Sequence, residues 1–424
     1  MTFVVPLHDA AAASVDRVGP KAFELARLSR AGLPVPAAVG LTADAYRAHL
    51  AAAGGDAAAA AVGAAPPYEA RRLALTVRLG LLRSTMGPAL DDAVTAIWDG
   101  LAQKSLVAVR SSALCENTSD ASFAGQFDTF LGVGTREDLV TALRACWASL
   151  WSSRALRYMR AHELEPARTA MAVIVQRMVD AEASGGALSQ TPDDELLITA
   201  TWGLGGVVAQ GEVVPDRFVL RRNAAFDRVE AGRKDRRMDV SATVGTQVSA
   251  VPRDLVERPC LGRDEVVALA RLVLEAESVL QSPVEVEWAK DAAGFQILQA
   301  RALHVETARA ESDLWRRHPG LRGQPAGVGW GSGRARIVLH EHDLEHVAHG
   351  DVLVTRVAGP ALTGVLPRVA GVVAELGGST SHLAALARER GLPAVLGALQ
   401  ATRRIPDGAT VAVDGVAGIV RWMR

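Results

Sequence analysis

Four stretches of this 424-residue chain bring together side chains that can do chemistry. Near the C-terminus, Gly377-Gly378-Ser379-Thr380-Ser381-His382 precedes an apolar stripe of Leu383, Leu386 and Ala387. The spacing predicts a strand over 371–375, a glycine turn, and a helix capped by Thr380 or Ser381 that ends at Gly391-Leu392-Pro393. His382 then falls in the first turn, where backbone N–H groups lack intrahelical partners and the dipole favours negative charge, so a phosphoryl group on the imidazole would meet donors. The same pattern also describes an exposed histidine in a capping region, and these residues alone leave both readings open.

A second stretch pairs Val284-Glu285-Val286-Glu287-Trp288 with Phe295-Gln-Ile-Leu-Gln299-Ala300-Arg301 across an Asp-Ala-Ala-Gly hairpin. Strand alternation puts Glu285 and Glu287 on one face, and likewise Gln299 and Arg301. Two carboxylates beside an amide oxygen form a hard-oxygen set suited to magnesium, and the guanidinium can neutralise a transferring phosphoryl group. A solvated polar face would show the same alternation. The third stretch is an apolar strand, Leu106-Val-Ala-Val, that delivers Arg110 at its end. Beyond it, small residues run through Ser122-Phe-Ala124-Gly125-Gln126, which alone is only a turn signal but beside the strand and its arginine could let backbone amides approach phosphates. The fourth, His342-Asp-Leu-Glu345-His346, fits an inverted zinc-peptidase pattern with histidines at i and i+4. It sits between two predicted strands with no acidic third ligand on a following long helix, so a polar surface helix is the expectation.

The elements that must position these groups follow from periodicity and turn residues. Val18-Gly19-Pro20-Lys21 opens an amphipathic helix that stops at a Gly-Leu-Pro-Val-Pro break, residues 32–36. Residues 51–66, rich in alanine and glycine, read as a loose loop, and 135–161 as one long helix with Trp147 and Trp151 in the core. The β-branched run 171–179 predicts a buried strand. Helical spacing recurs over 262–281. The stretch 308–326, rich in Arg, Gly and Pro, reads as a linker. Behind it, strands at 335–339, 351–355, 371–375, 410–413 and 418–422 outline a small β/α domain.

Together these motifs resemble a known family. The histidine segment is similar to the GG-x-T-S-H-x-A-x-x-A-R-x-x-G-x-P-A-V signature of the phosphohistidine swivelling domain in pyruvate phosphate dikinase, phosphoenolpyruvate synthase and rifampicin phosphotransferase. The stretch from Arg110 to Leu131 resembles the V-R-S-S-A…S-F-A-G-Q-x-x-T-x-L block, and 285–301 the closing D-x-E-W…L-Q-x-R motif, of the same family's ATP-grasp half. The resemblance implies an α/β (α+β) chain with an ATP-grasp-like nucleotide-binding domain over 1–307, in two subdomains split near 180–200. It implies the linker at 308–326 and the swivelling domain over 327–424.

It also implies ATP and Mg2+ as cofactors and gives residues roles by position. Lys21, Arg110 and Arg301 would clamp phosphates. Ser122, Ala124, Gly125 and Gln126 would line the phosphate loop, and Gln176, Met178 and Val179 would hold the adenine edge. Glu287 and Gln299 would bind the metal with Glu285 assisting, and His382 would carry the phosphoryl group from ATP to a small-molecule acceptor, leaving AMP and phosphate. Three departures stand out. Pro20 replaces a glycine, removing one amide. Thr199 and Gly206 replace acidic residues of the family's E-x-x-W-G-L-G-E turn. The large third domain of the relatives finds no counterpart, so the acceptor could be a free small molecule or one presented by a partner protein. A catalytically impaired ATP-binding protein is the alternative that the lost acids suggest.

Composition bounds the rest. A net charge of −1 offers no basic footprint for nucleic acid or an anionic membrane. Three cysteines without metal-ligand spacing, no signal-peptide pattern and no bilayer-length apolar run point to the cytoplasm. Only four lysines accompany 42 arginines, which draws attention to each lysine that remains.

Overall fold

The computed structural model describes residues 2–10, 14–103, 105–116, 123, 125–241, 245–303, 305, 320–357 and 359–423. They divide into two compact units: 1–180 with 240–247 and 296–301, and 181–239 with 248–295 and 302–424.

In the first unit, strands β1 (Val4–Pro6), β2 (Ala38–Leu41), β3 (Val107–Ala113), β4 (Thr129–Val133) and β5 (Met171–Arg177) form one sheet in the order β1-β2-β5-β3-β4. The predicted β-branched strand is the central one. It pairs antiparallel with β2 and β3 and is buried from Met171 to Gln176. Arg110 is the fourth of seven residues of β3, rather than its end, because the ladder to β5 continues through Ala113. The helix Val15–Arg30 is broken at Gly19, whose φ of 74° is non-helical. A Cβ there would lie 2.2 Å from the Ser112 carbonyl oxygen, so glycine permits both the turn and the close approach. Pro20 thus opens the regular helix, where a missing N–H costs nothing.

Two helical expectations change. The segment 135–161 is two helices, Arg136–Ser149 and Ser153–Ala161, because the Ser152 hydroxyl accepts from the Ala155 amide and starts the second. Trp147 and Trp151 are buried as expected, the latter donating to the Tyr46 hydroxyl at 2.9 Å. The alanine-rich stretch is helical over Ala43–Ala52 and Asp56–Ala61, as alanine's propensity favours.

In the second unit, β6 (Ala183–Leu188), β7 (Glu195–Trp202), β8 (Asp216–Arg221) and β9 (Phe226–Glu230) follow in chain order. After β10 (Arg236–Ser241) and β11 (Gly245–Ala250) comes β12 (Val284–Asp291). It joins the sheet antiparallel to β6, giving the order β12-β6-β7-β8-β9. The helix Arg263–Leu280 buries the predicted Val266, Leu269, Val273, Ala276 and Leu280. Its start is closed by the Glu265 carboxylate, which accepts from the Gly262 amide at 2.8 Å. The next strand, β13 (Gly294–Ala302), returns the chain to the first unit over 296–301.

The C-terminal part forms an eight-stranded sheet. Parallel strands β16 (Trp330–Val338), β17 (Val352–Thr355), β18 (Gly371–Ala374) and β19 (Ala394–Leu396) sit beside antiparallel β20 (Thr410–Asp414) and β21 (Ile419–Met423). Val352, Val354, Val373, Val395, Val411, Val413 and Val420 fill its core. Residues 308–319 of the expected linker lie outside the described residues. Its end forms β14 (Leu321–Arg322) and β15 (Gln324–Gly327), strands of this same sheet paired with β21 and β19. No helix among the described residues is long and apolar enough to cross a membrane.

Candidate functional site

The first unit gathers charge around Lys21. This residue sits in the first regular turn after Gly19, and its Nζ donates to Glu116 Oε1 at 3.0 Å and to Ser111 Oγ at 3.4 Å. The Ser112 hydroxyl accepts from the Ala22 amide at 3.4 Å and so ties the helix start to β3. The Glu116 side chain is wholly buried, whereas Lys21 keeps 18% exposure. Burial pushes the Glu116 carboxyl above its usual range, against the pull of Lys21 and, more weakly, of Arg301. Lys21, Glu116 and Arg301 therefore share one electrostatic neighbourhood. Sequence reasoning gave Glu116 no role. Its signal was its place five residues after Ser111, where a turn following β3 returns it to the lysine.

Other predicted residues of this unit fall as follows. Arg110 is half-buried on β3, opposite Thr129 and Ile174. Ser122 and Ala124 lie outside the described residues. Gly125, at φ 66°, and buried Gln126 follow Phe123, whose carbonyl accepts from the Gln126 amide at 3.0 Å. The Phe123 ring packs on Phe127 and Tyr158, and Arg154 donates to the Gln126 carbonyl and to Asp128, so the loop is pinned to the helix Ser153–Ala161. Gln176 is buried and its amide donates to the Leu298 carbonyl, next to Gln299. The Met178 N–H is committed to the Leu106 carbonyl at 2.9 Å, and buried Val179 follows it. An adenine edge would have to be met by the other backbone groups of this segment.

In the second unit, Glu285 and Glu287 are half-buried and alternate with buried Val284, Val286 and Trp288, the shared face expected from period two. Glu287 stands opposite Gly186 of β6. Gln299 and Arg301 belong to the first unit. The histidine segment also has the predicted local form. Gly377 turns at φ 96°, and a Cβ on Gly378 would lie 2.5 Å from Pro215 Cγ. Ser381, of the two candidates, is the N-cap, its hydroxyl accepting from the Ala384 amide at 3.4 Å. His382 is the first residue of the helix His382–Glu389 and is partly exposed. The Arg388 guanidinium folds back to the Ser379 carbonyl and pairs with Glu285 at 3.1 Å.

Of the two departures on the turn, Thr199 is buried in β7 and shares a hydrogen bond with the Thr380 hydroxyl at 2.6 Å. Gly206 opens the short helix Gly206–Ala209 under the Met238 side chain. The rival histidine pair lies on an exposed 3₁₀ turn, Glu341–His346, whose winding does not stack i and i+4 as an α-helix does. There Asp343 accepts the Leu339 and His340 amides. No group of three or more His, Cys, Asp or Glu able to hold a metal occurs among the described residues.

One unit thus carries the charged cluster around Lys21 and the other the capped histidine helix, and comparison with known proteins places both. Residues 15–318 match the pyruvate phosphate dikinase AMP/ATP-binding domain, and residues 347–418 the mobile domain of PEP-utilising enzymes. The chain belongs to this family, and the expected mixed α/β class stands, with an AMP/ATP-binding domain followed by a small β/α domain.

It is similar to the phosphoenolpyruvate synthase of Aeropyrum pernix, 33% identical over 95% of this chain and 56% of that protein. A probable phosphoenolpyruvate synthase of Staphylothermus marinus is 30% identical over 99% of this chain and 57% of its own length. One from Methanothermobacter thermautotrophicus is 34% identical over 74% and 46% respectively. The chain thus spans about half the length of the curated relatives it matches.

Proposed function

We propose that this chain is an ATP-dependent phosphotransferase of the dikinase type, which takes a phosphoryl group from ATP onto His382 and passes it to a small-molecule acceptor. AMP, phosphate and one phosphoryl group on the imidazole account for the three phosphates of ATP, with one water consumed. The observation that carries this reading is the capped histidine helix, Ser381 to Glu389, inside the matched mobile domain. It presents His382 at a helix start, where the dipole favours a phosphoryl group.

Lys21, Arg110 and Arg301 neutralise the nucleotide phosphates, the two guanidiniums as planar forks. His382 attacks as the neutral imidazole, with its lone pair on the ring nitrogen that meets phosphorus. Magnesium, when bound, would supply further neutralisation of phosphate charge. Glu287 would hold it, since a half-buried carboxylate on a rigid strand is a donor of the right hardness. The acceptor is a small molecule, free or presented by a partner protein, and not a nucleic acid or membrane. All three cysteines are free thiols, which supports a reducing, cytoplasmic setting.

The test is product analysis after incubation with Mg-ATP. AMP and phosphate released in step with His382 phosphorylation, and lost in Arg301→Gln, support the reading. ADP as the sole nucleotide product overturns the dikinase stoichiometry, and nucleotide binding with no turnover would favour the impaired binding protein.

A further inference from the structure

All residues that follow belong to the second unit. Thr380, two residues before His382, rests on the β6–β7 part of the sheet. Its hydroxyl meets that of buried Thr199 at 2.6 Å, and a Cβ on Gly186 would lie 2.7 Å from Thr380 Cβ, so glycine there makes room for it. Gly186 is the register partner of Glu287 and donates its amide to Thr199 Oγ1. The loop before the histidine therefore sits on β6 and β7, beside the strand that carries the two carboxylates.

A second point fixes the far end of the helix. Arg388 uses one nitrogen for the Ser379 carbonyl and another for Glu285 at 3.1 Å, and both side chains are partly buried, with 14% and 11% of their surface exposed. One residue thus closes the loop before His382 and ties it to the sheet, a task for a planar fork rather than an ammonium. Two further contacts complete the seat: the Gly377 N–H donates to the Val213 carbonyl at 3.0 Å, and the Gln324 side-chain amide donates to the Pro215 carbonyl at 2.8 Å.

We propose that Arg388 and Thr199 are positioning residues that seat the histidine helix on the carboxylate strand for the phosphoryl-accepting half of the reaction. In that seated state Glu285 is the docking carboxylate for Arg388 and Glu287 is the carboxylate of the metal. The threonine at 199 suits this seat, since its hydroxyl gives Thr380 a partner without placing a buried charge in the sheet beneath it. The proposal rests on the phosphotransfer reading for its purpose, while the seat itself can be tested without nucleotide.

The experiment is disulfide trapping between Thr199→Cys and Thr380→Cys with diamide as oxidant, with each single variant setting the background from the native thiols. The double variant is expected to cross-link without nucleotide. Adding Arg388→Gln or Glu285→Gln should slow cross-linking about tenfold to a hundredfold, the effect of losing a charge-assisted bond, and Glu287→Gln should leave it unchanged. In the chain without added cysteines, Arg388→Gln should slow single-turnover phosphorylation of His382 in parallel, at unchanged KM for ATP.

Cross-linking as fast with Arg388→Gln as without it overturns the proposal, as does an unaltered rate of phosphoryl uptake. Should the double cysteine variant fail to fold, hydrogen exchange of the Gly377 and Gly186 amides decides instead, since both should lose protection in Arg388→Gln and an unchanged pattern refutes the seat. Where no phosphohistidine forms even in the unsubstituted protein, the functional reading falls while cross-linking still decides the seat.

Discussion

Replacing Lys21 by methionine removes the cation that holds Glu116. The carboxylate has no exposed surface and accepts from Lys21 at 3.0 Å, so the variant leaves a buried charge with only Arg301 and the Ala113 backbone to offset it. Breaking a buried pair from one side costs about 3–5 kcal/mol. The 18% exposure of Lys21 and the residual field of Arg301 place this case near about 3 kcal/mol. Proton uptake limits the cost, so losing Lys21 should push the Glu116 carboxyl further up.

The sign follows from the raised pKa. A carboxyl whose folded pKa lies above its unfolded one favours folding most at low pH and loses that contribution as pH rises through the folded value. The Lys21→Met penalty should therefore be absent at acid pH, grow above the wild-type Glu116 pKa and level off above that of the variant. Calorimetric melting of the nucleotide-free protein across pH reads this, with about 2–4 °C per kcal/mol for a unit of this size. Adding Glu116→Gln should recover most of the loss. A double variant that melts no higher than Lys21→Met, or a penalty that ignores pH, refutes the reasoning.

Three further outcomes follow from the same kind of argument. Asp216→Asn strands the buried ammonium of Lys234, now paired at 2.6 Å, and should destabilise the second unit by about 3–5 kcal/mol in urea melts. Glu277 is held below the usual carboxylate range by its two-pronged bond to Arg222. Glu277→Gln should thus cost about 1–2 kcal/mol at neutral pH and nothing once pH has fallen through the lowered value, which a pH series of urea midpoints would show. Gly378→Ala puts a methyl 2.5 Å from Pro215 Cγ and 2.6 Å from Gln324 Oε1, so amide exchange at Gly377 and Ser379 should accelerate.

How much was legible in the sequence depends on where each signal lives. The histidine helix was readable because its cap, apolar stripe and Gly-Leu-Pro stop are all local, and the alternation of Glu285 and Glu287 is a property of any strand. The centre of the first sheet followed from an unbroken β-branched run, which only a strand covered on both faces tolerates. The break at Ser152 was missed because a capping serine inside a continuous apolar pattern changes backbone direction without changing periodicity. In alanine-rich 51–66 low complexity points to a loop while alanine's propensity points to helix, and the propensity prevails over Asp56–Ala61. Glu116, Thr199 and Arg388 escaped for another reason. Each acquires its role from a partner about 95 to 181 residues away, Lys21, Thr380 and Glu285 respectively, and no local pattern records such pairings.

The claim that His382 carries the phosphoryl group is tested most directly by intact mass after incubation with Mg-ATP, comparing the unsubstituted protein with His382→Ala. An acid-labile adduct of one phosphoryl group on the former, absent from the latter, is the predicted result. An adduct of the same size on both proteins, or on neither while ATP is bound, would contradict it.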